Sequence, residues 1–165
     1  MNRLFFFRQK YQDAHIIGLE LGVARGNFSY ELLNSCKNLT LYSIDAWGGD
    51  RGHDDKEYNI AKNKLFKFQN RSYVIRSFFS EALSYFNDSF FDFIYIDGYA
   101  HSGQDNGKTL YEWYSKLKTG GIFSGHDYDK SWPKTVQSVD LFASRYNKKA
   151  NIINDTPYSS WYFIK

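Results

Sequence analysis

One cysteine, Cys36, is all the sequence holds. A lone thiol excludes an internal disulfide and a cysteine-built zinc cluster. Its place on the apolar side of a helical stretch makes it a packing residue. Long apolar runs are also missing. The N-terminal run Leu4 to Phe7 is too short for a secretory h-region or a membrane span, so a cytoplasmic setting and no membrane partner are expected. Residues 1–14 are expected to act as a docking segment, against the domain or a partner. Charge of one sign is scarce: 21 basic and 18 acidic side chains leave a net charge of +3. The lysines are scattered, which gives nucleic acid no basic footprint. No repeat, linker or low-complexity tract divides the 165 residues, and one domain over 1–165 is expected. The dinucleotide fingerprint G-x-G-x-x-G is absent as well. Apolar material, by contrast, is plentiful: 42% hydrophobic and 20% aromatic residues suffice for a full core.

That material alternates between two periods. Residues 15–23, 39–44, 72–76, 90–96 and 122–124 are short apolar runs of strand type. Residues 27–37, 54–68, 80–86, 107–117 and 136–146 have helical spacing, as Tyr58, Ala61, Leu65 and Phe68 illustrate on one face. Tyr111, Trp113 and Tyr114 follow the same spacing and read as packing. The alternation predicts an α/β fold with a doubly wound, mostly parallel sheet. Its strands lack polar alternation, as central strands covered on both faces do. Ile152–Ile153 and Trp161–Ile164 have no helix between them. They should form a C-terminal antiparallel hairpin at the sheet edge, with the last strand beside the fifth.

Ligands of open α/β sheets bind outside the carboxyl ends of the strands. The first strand ends in Glu20, Gly22 and Gly26, where bare backbone N–H groups lead into a helix. The second ends in Asp45, followed by Ala46 and Trp47. A carboxylate at Asp45 can accept both hydrogen bonds of a ribose diol, and Trp47 can cover a bound nucleoside. Ser77 and Phe78 follow the third strand, where an N–H and an aromatic face suit an adenine. The fourth ends in Asp97 and the fifth in His126 and Asp127. Four of five strands thus carry an acid to one rim.

Glu20-Leu21-Gly22-Val23-Ala24-Arg25-Gly26 resembles the E/D-x-G-x-x-x-G motif of class I S-adenosylmethionine (SAM) dependent methyltransferases. Asp92-Phe93-Ile94-Tyr95-Ile96-Asp97-Gly98 with His101, and Leu117-Lys118-Thr119-Gly120-Gly121 leading to Gly125-His126-Asp127-Tyr128, resemble two later patterns. These are D-x-I-x-I-D-G-x-H and L-K-P-G-G-x-x-x-G-H-D-Y of the small-molecule O-methyltransferases related to the macrocin and catechol enzymes. The resemblance runs from Ile16 to Ile164. It implies a seven-stranded Rossmann-like sheet, SAM as methyl donor, and a divalent cation such as Mg²⁺ or Mn²⁺ near the acceptor hydroxyl.

On that footing Glu20, Gly22, Gly26, Asp45, Ala46, Trp47, Ser77, Phe78 and Asp97 are expected to bind the cofactor. Asp97, His126 and Asp127 are expected to hold the metal, and His101 with Asp97 to act in catalysis. His101 stands four positions after Asp97, where the family has three, and Thr119 replaces a proline. The acceptor is expected to be a small molecule or saccharide, and a homo-oligomer stays open. Two alternatives remain at this point: an NAD-type oxidoreductase, or a non-catalytic methyltransferase-like binding module.

Overall fold

The computed structural model describes residues 2–49 and 52–165. The strands are β1 (Ile16–Leu21), β2 (Leu39–Asp45), β3 (Ser72–Arg76), β4 (Phe91–Ile96), β5 (Leu117–Gly125), β6 (Asn151–Ile153) and β7 (Ser160–Ile164). The helices are α1 (Arg3–Tyr11), α2 (Asn27–Ser35), α3 (Asp55–Leu65), α4 (Phe79–Ala82), α5 (Gly103–Asn106), α6 (Lys108–Tyr114) and α7 (Pro133–Arg145). The seven strands form one sheet in the order β3-β2-β1-β4-β5-β7-β6. Neighbours from β3 through β5 pair in parallel, whereas β7 is antiparallel to both β5 and β6. The C-terminal hairpin therefore closes the edge as the short connection between its strands requires.

Helices cover both faces, which explains the unbroken apolar strands. On one face Phe79, Ala82, Leu110, Trp113, Val139 and Phe142 of α4, α6 and α7 pack with Leu19, Ile94 and Phe123 of the sheet. On the other, α1, α2 and α3 bring Phe7, Phe28, Leu32 and Leu65 against Leu41, Phe93 and Tyr95. Trp113 and Tyr114 are buried, as packing residues should be, whereas Tyr111 is exposed with its ring against Phe142; Cys36 is buried in the second cluster.

Within the 1–14 segment, α1 (Arg3–Tyr11) is docked on the sheet. Asn2 caps it by accepting from the Phe5 N–H at 2.9 Å. Phe7 is fully buried, its ring centroid 4.7 Å from that of Phe93. Among the described residues no helix is long and apolar enough to cross a membrane.

Two elements depart from the sequence expectation. The helix expected over 107–117 ends at Tyr114, and Leu117 instead opens β5 opposite Phe91. The register then shifts, so that Ile122 pairs with Phe93 and residues 118–121 bulge out. Leu117 is fully buried at that position, so burial across the sheet wins over helical spacing. The helix expected over 54–68 ends at Leu65 and tightens into a 3₁₀ segment, Phe66–Arg71, in which Gln69 adopts φ +49°.

Candidate active site

The strand order reverses between β1 and β4, where a crevice opens at the carboxyl ends. Gly22 makes that crevice possible. Its φ is +92°, and a Cβ there would lie 2.4 Å from the Asp97 carbonyl oxygen. The backbone is drawn in on both sides, with Gly22 N–H donating to Ile44 O at 2.9 Å and Asp97 N–H to Leu21 O at 2.7 Å. Gly26, by contrast, lines neither chamber of the cleft. It starts α2 at φ +69°, and a Cβ there would lie 3.3 Å from Ala61 and Leu65 of α3. Here Gly26 serves the packing of α2 on α3.

The crevice has two adjacent chambers that share Gly22, His53 and Asp97 in their walls. One, of about 320 Å³, is walled by Asp45, Ala46, Trp47, Phe78, Phe79, Tyr99, His101, Asp127 and Trp132. The other, of about 350 Å³, is walled by Arg3, Glu20, Val23, Ala24, Asn27 and Phe28 among others. A long ligand with a planar end and a polar tail matches this pair of spaces.

Asp45 is largely built into the frame. Its Oδ2 accepts from Val23 N–H at 2.8 Å and Ala24 N–H at 3.0 Å, and its Oδ1 from Trp47 N–H at 3.1 Å. One carboxylate thus fixes the loop after β1, and Oδ1, with a single donor, keeps capacity for another. Trp47 is buried, and its indole N–H donates to Ala24 O at 2.9 Å. Ala46 offers its carbonyl to Arg76. Ser77 does not line the chamber: it is buried, its N–H donating to Asp45 O at 3.0 Å and its hydroxyl to Phe78 O at 3.1 Å. The exposed ring at this wall belongs to Phe78, with Phe79 beside it.

Glu20 sits at the bottom of the second chamber, buried, and accepts a short hydrogen bond from the Ser29 hydroxyl. Burial pushes its carboxyl up to about 8, against the Ser29 bond, which favours the ion. It is therefore mainly the neutral acid at pH 7. Over it lies a residue that sequence reasoning missed. Arg3 donates through Nη1 to the Tyr95 hydroxyl at 2.8 Å and pairs with Asp97 at 3.3 Å. Its Nε meets Asp155 at 3.4 Å, and the guanidinium carbon stands 4.4 Å over the Phe28 ring. No local pattern marks a basic residue at the head of a docking helix as part of a cleft.

At the ends of β4 and β5 three side chains converge. One ligand-type atom from each of Asp97, His126 and Asp127 lies within 4.8 Å of the other two. His126 Nδ1 is 3.1 Å from Asp127 and 3.5 Å from Asp97. Burial would lower the imidazole, but the bonds to Asp127 and Asp97 outweigh it and raise it to about 9. Asp127 is held in the left-handed region at φ +61°, which turns its carboxylate toward the histidine instead of along the strand. His101 follows on a short 3₁₀ turn, lines the first chamber, and lies 5.6 Å from the Trp132 ring. The structure thus brings Asp45, Trp47, Phe78, Asp97, His101 and Asp127 to one cavity.

A family model described as "Methyltransferase domain" matches residues 19–128. An O-methyltransferase from Bacillus cereus in complex with SAH superposes with a TM-score of 0.74 at 16% identity, over 99% of this chain and 80% of that one. A SAM-dependent methyltransferase from Aquifex aeolicus gives 0.69 at 17% identity, over 96% and 86%. A precorrin-6y C5,15-methyltransferase from Geobacter metallireducens GS-15 gives 0.71 at 13%, over 98% and 86%. At these identities the likeness establishes the Rossmann-like methyltransferase fold. No curated protein matches the sequence.

Proposed function

The chain belongs to the methyltransferase domain family, SAM-dependent enzymes, and from that premise we propose that it transfers the methyl of SAM to a hydroxyl oxygen of a small-molecule acceptor, assisted by a divalent cation. The observation that carries the reading is the meeting of Asp97, His126 and Asp127, of which Asp97 and Asp127 line the same chamber as His101. An NAD-type oxidoreductase loses its ground with the family match.

In this reading the adenosine occupies the first chamber, its ribose on Asp45 Oδ1 and its base against Phe78. The methionine tail reaches into the second chamber across Gly22, above Glu20. Positioning then supplies much of the rate, because the acceptor oxygen must lie in line with the methyl–sulfur bond. The O–H proton passes to the acceptor's nearest base, for which His101 is proposed, while the C–O bond forms and the C–S bond breaks. The products are the methyl ether and S-adenosylhomocysteine. Two carboxylates and an imidazole form a donor set that fits a divalent cation, the carboxylates suiting Mg²⁺ or Mn²⁺ better than the nitrogen does. Such an ion, when bound, stabilises the acceptor as its alkoxide. The residues' own part is to hold it and to exchange the His126 proton for it.

The test uses a panel of catechol and sugar hydroxyl acceptors with SAM. Turnover should fall in EDTA and return with Mg²⁺ or Mn²⁺. His101→Ala should lower kcat by about 10²–10⁴-fold and leave SAM affinity unchanged. Full turnover in EDTA would remove the metal from the reading, and a fully active His101→Ala would remove the base.

A further inference from the structure

We infer that Arg3, from the N-terminal helix, holds the carboxylate of the methionine tail of SAM. The inference rests on the reading that SAM lies in this cleft. Neither Arg3 nor its partner Asp155 falls within the residues matched by the family model, 19–128. The contact would therefore be a property of this chain's own termini.

A methionine tail is a zwitterion, so the chamber that takes it needs one group of each sign. Three basic side chains line this chamber: Arg3, Arg25 and His53. Arg25 is well exposed and spent on Glu57 at 3.0 Å, and His53 faces Glu57 at 3.3 Å. Arg3 is the more enclosed cation, with a side chain 23% exposed. Its Nη1 is used by Tyr95 and Asp97 and its Nε by Asp155, while Nη2 has no hydrogen-bond partner among the described residues. Nη2 thus keeps its N–H donors for a charge-assisted hydrogen bond to a carboxylate.

The guanidinium is also fixed before any ligand arrives. Phe28 lies against its face, and Asp155 accepts from the Arg3 backbone N–H at 3.4 Å and forms an ion pair with its Nε at 3.4 Å. Holding the fork in advance spares the ordering cost that a free arginine would incur on binding. The chamber floor completes the pattern. Asp97 supplies the negative group for the ammonium, and a neutral Glu20 does not repel the incoming carboxylate.

Calorimetry with SAM and with decarboxylated SAM, which lacks only the carboxylate, tests this on the full-length protein. Wild type should bind SAM more tightly than the decarboxylated form. Arg3→Ala should weaken SAM about 10–100-fold, the worth of hydrogen bonds to a charged group, and leave decarboxylated SAM unchanged. Arg3→Lys should recover part of the loss as a point charge. Wild type binding both ligands equally would overturn the inference without any variant. An equal loss of both ligands in a folded Arg3→Ala protein would overturn it too, reducing Arg3 to an anchor for α1. Wild type binding neither would instead overturn the placement of SAM in the cleft, and the inference with it.

Discussion

Replacing Glu20 by glutamine should change how the protein's stability depends on pH. The carboxyl is held at about 8 in the folded state, against an ordinary value of 4.5. Between those values the folded protein keeps a proton that the unfolded chain has released. Stability therefore falls as pH rises through this window. The group's contribution is fully present below 4.5 and lost as pH passes through about 8. At about 1.4 kcal/mol for each pH unit, the interval corresponds to on the order of 5 kcal/mol. That figure is a ceiling, because a charged Glu20 would draw in water or relax toward Arg3. Glutamine keeps a similar shape and can still accept from the Ser29 hydroxyl, but it does not titrate. Urea unfolding from pH 5 to 8.5 should show the wild-type midpoint falling more steeply than that of Glu20→Gln, with the variant gaining relative stability at the alkaline end. Every other titrating group is common to both proteins, so the difference between the curves isolates Glu20. Parallel curves would refute the buried neutral acid.

Two further substitutions probe the scaffold. Gly22→Ala places a methyl 2.4 Å from the Asp97 carbonyl at φ +92°; it should cost about 3 kcal/mol or more and lower the melting temperature by about 6–12 °C, and an unchanged melting temperature would mean that β1 and β4 can separate cheaply. Phe7→Ala removes a fully buried ring wedged against Phe28, Phe93 and Tyr95; it should cost about 3–5 kcal/mol, read as a lower urea midpoint, and SAM affinity should fall with it because α1 no longer fixes Arg3.

The sequence by itself determined the frame. Apolar runs of strand type, separated by helical spacing, are local signals, and they placed β1 through β4, the helices between them and the closing hairpin. The acids at the strand ends were legible for the same reason. Once a parallel sheet is inferred, every strand's last residue lies on one rim, so Asp45, Asp97 and Asp127 could be put there without coordinates. The tertiary structure decided what those residues touch. It spent Asp45 mainly on the loop after β1, turned Ser77 inward, and gave Gly26 to helix packing, because backbone N–H groups and neighbouring helices competed for those positions. It ended a helix at Tyr114 because Leu117 is buried more fully as a strand residue opposite Phe91. It also brought Arg3 beside Asp97 and Asp155, across 94 and 152 residues of sequence. Nothing local requires that meeting. It exists because Phe7 and Tyr11 bury themselves on the sheet, and the helix they anchor has only one place to put its first turn.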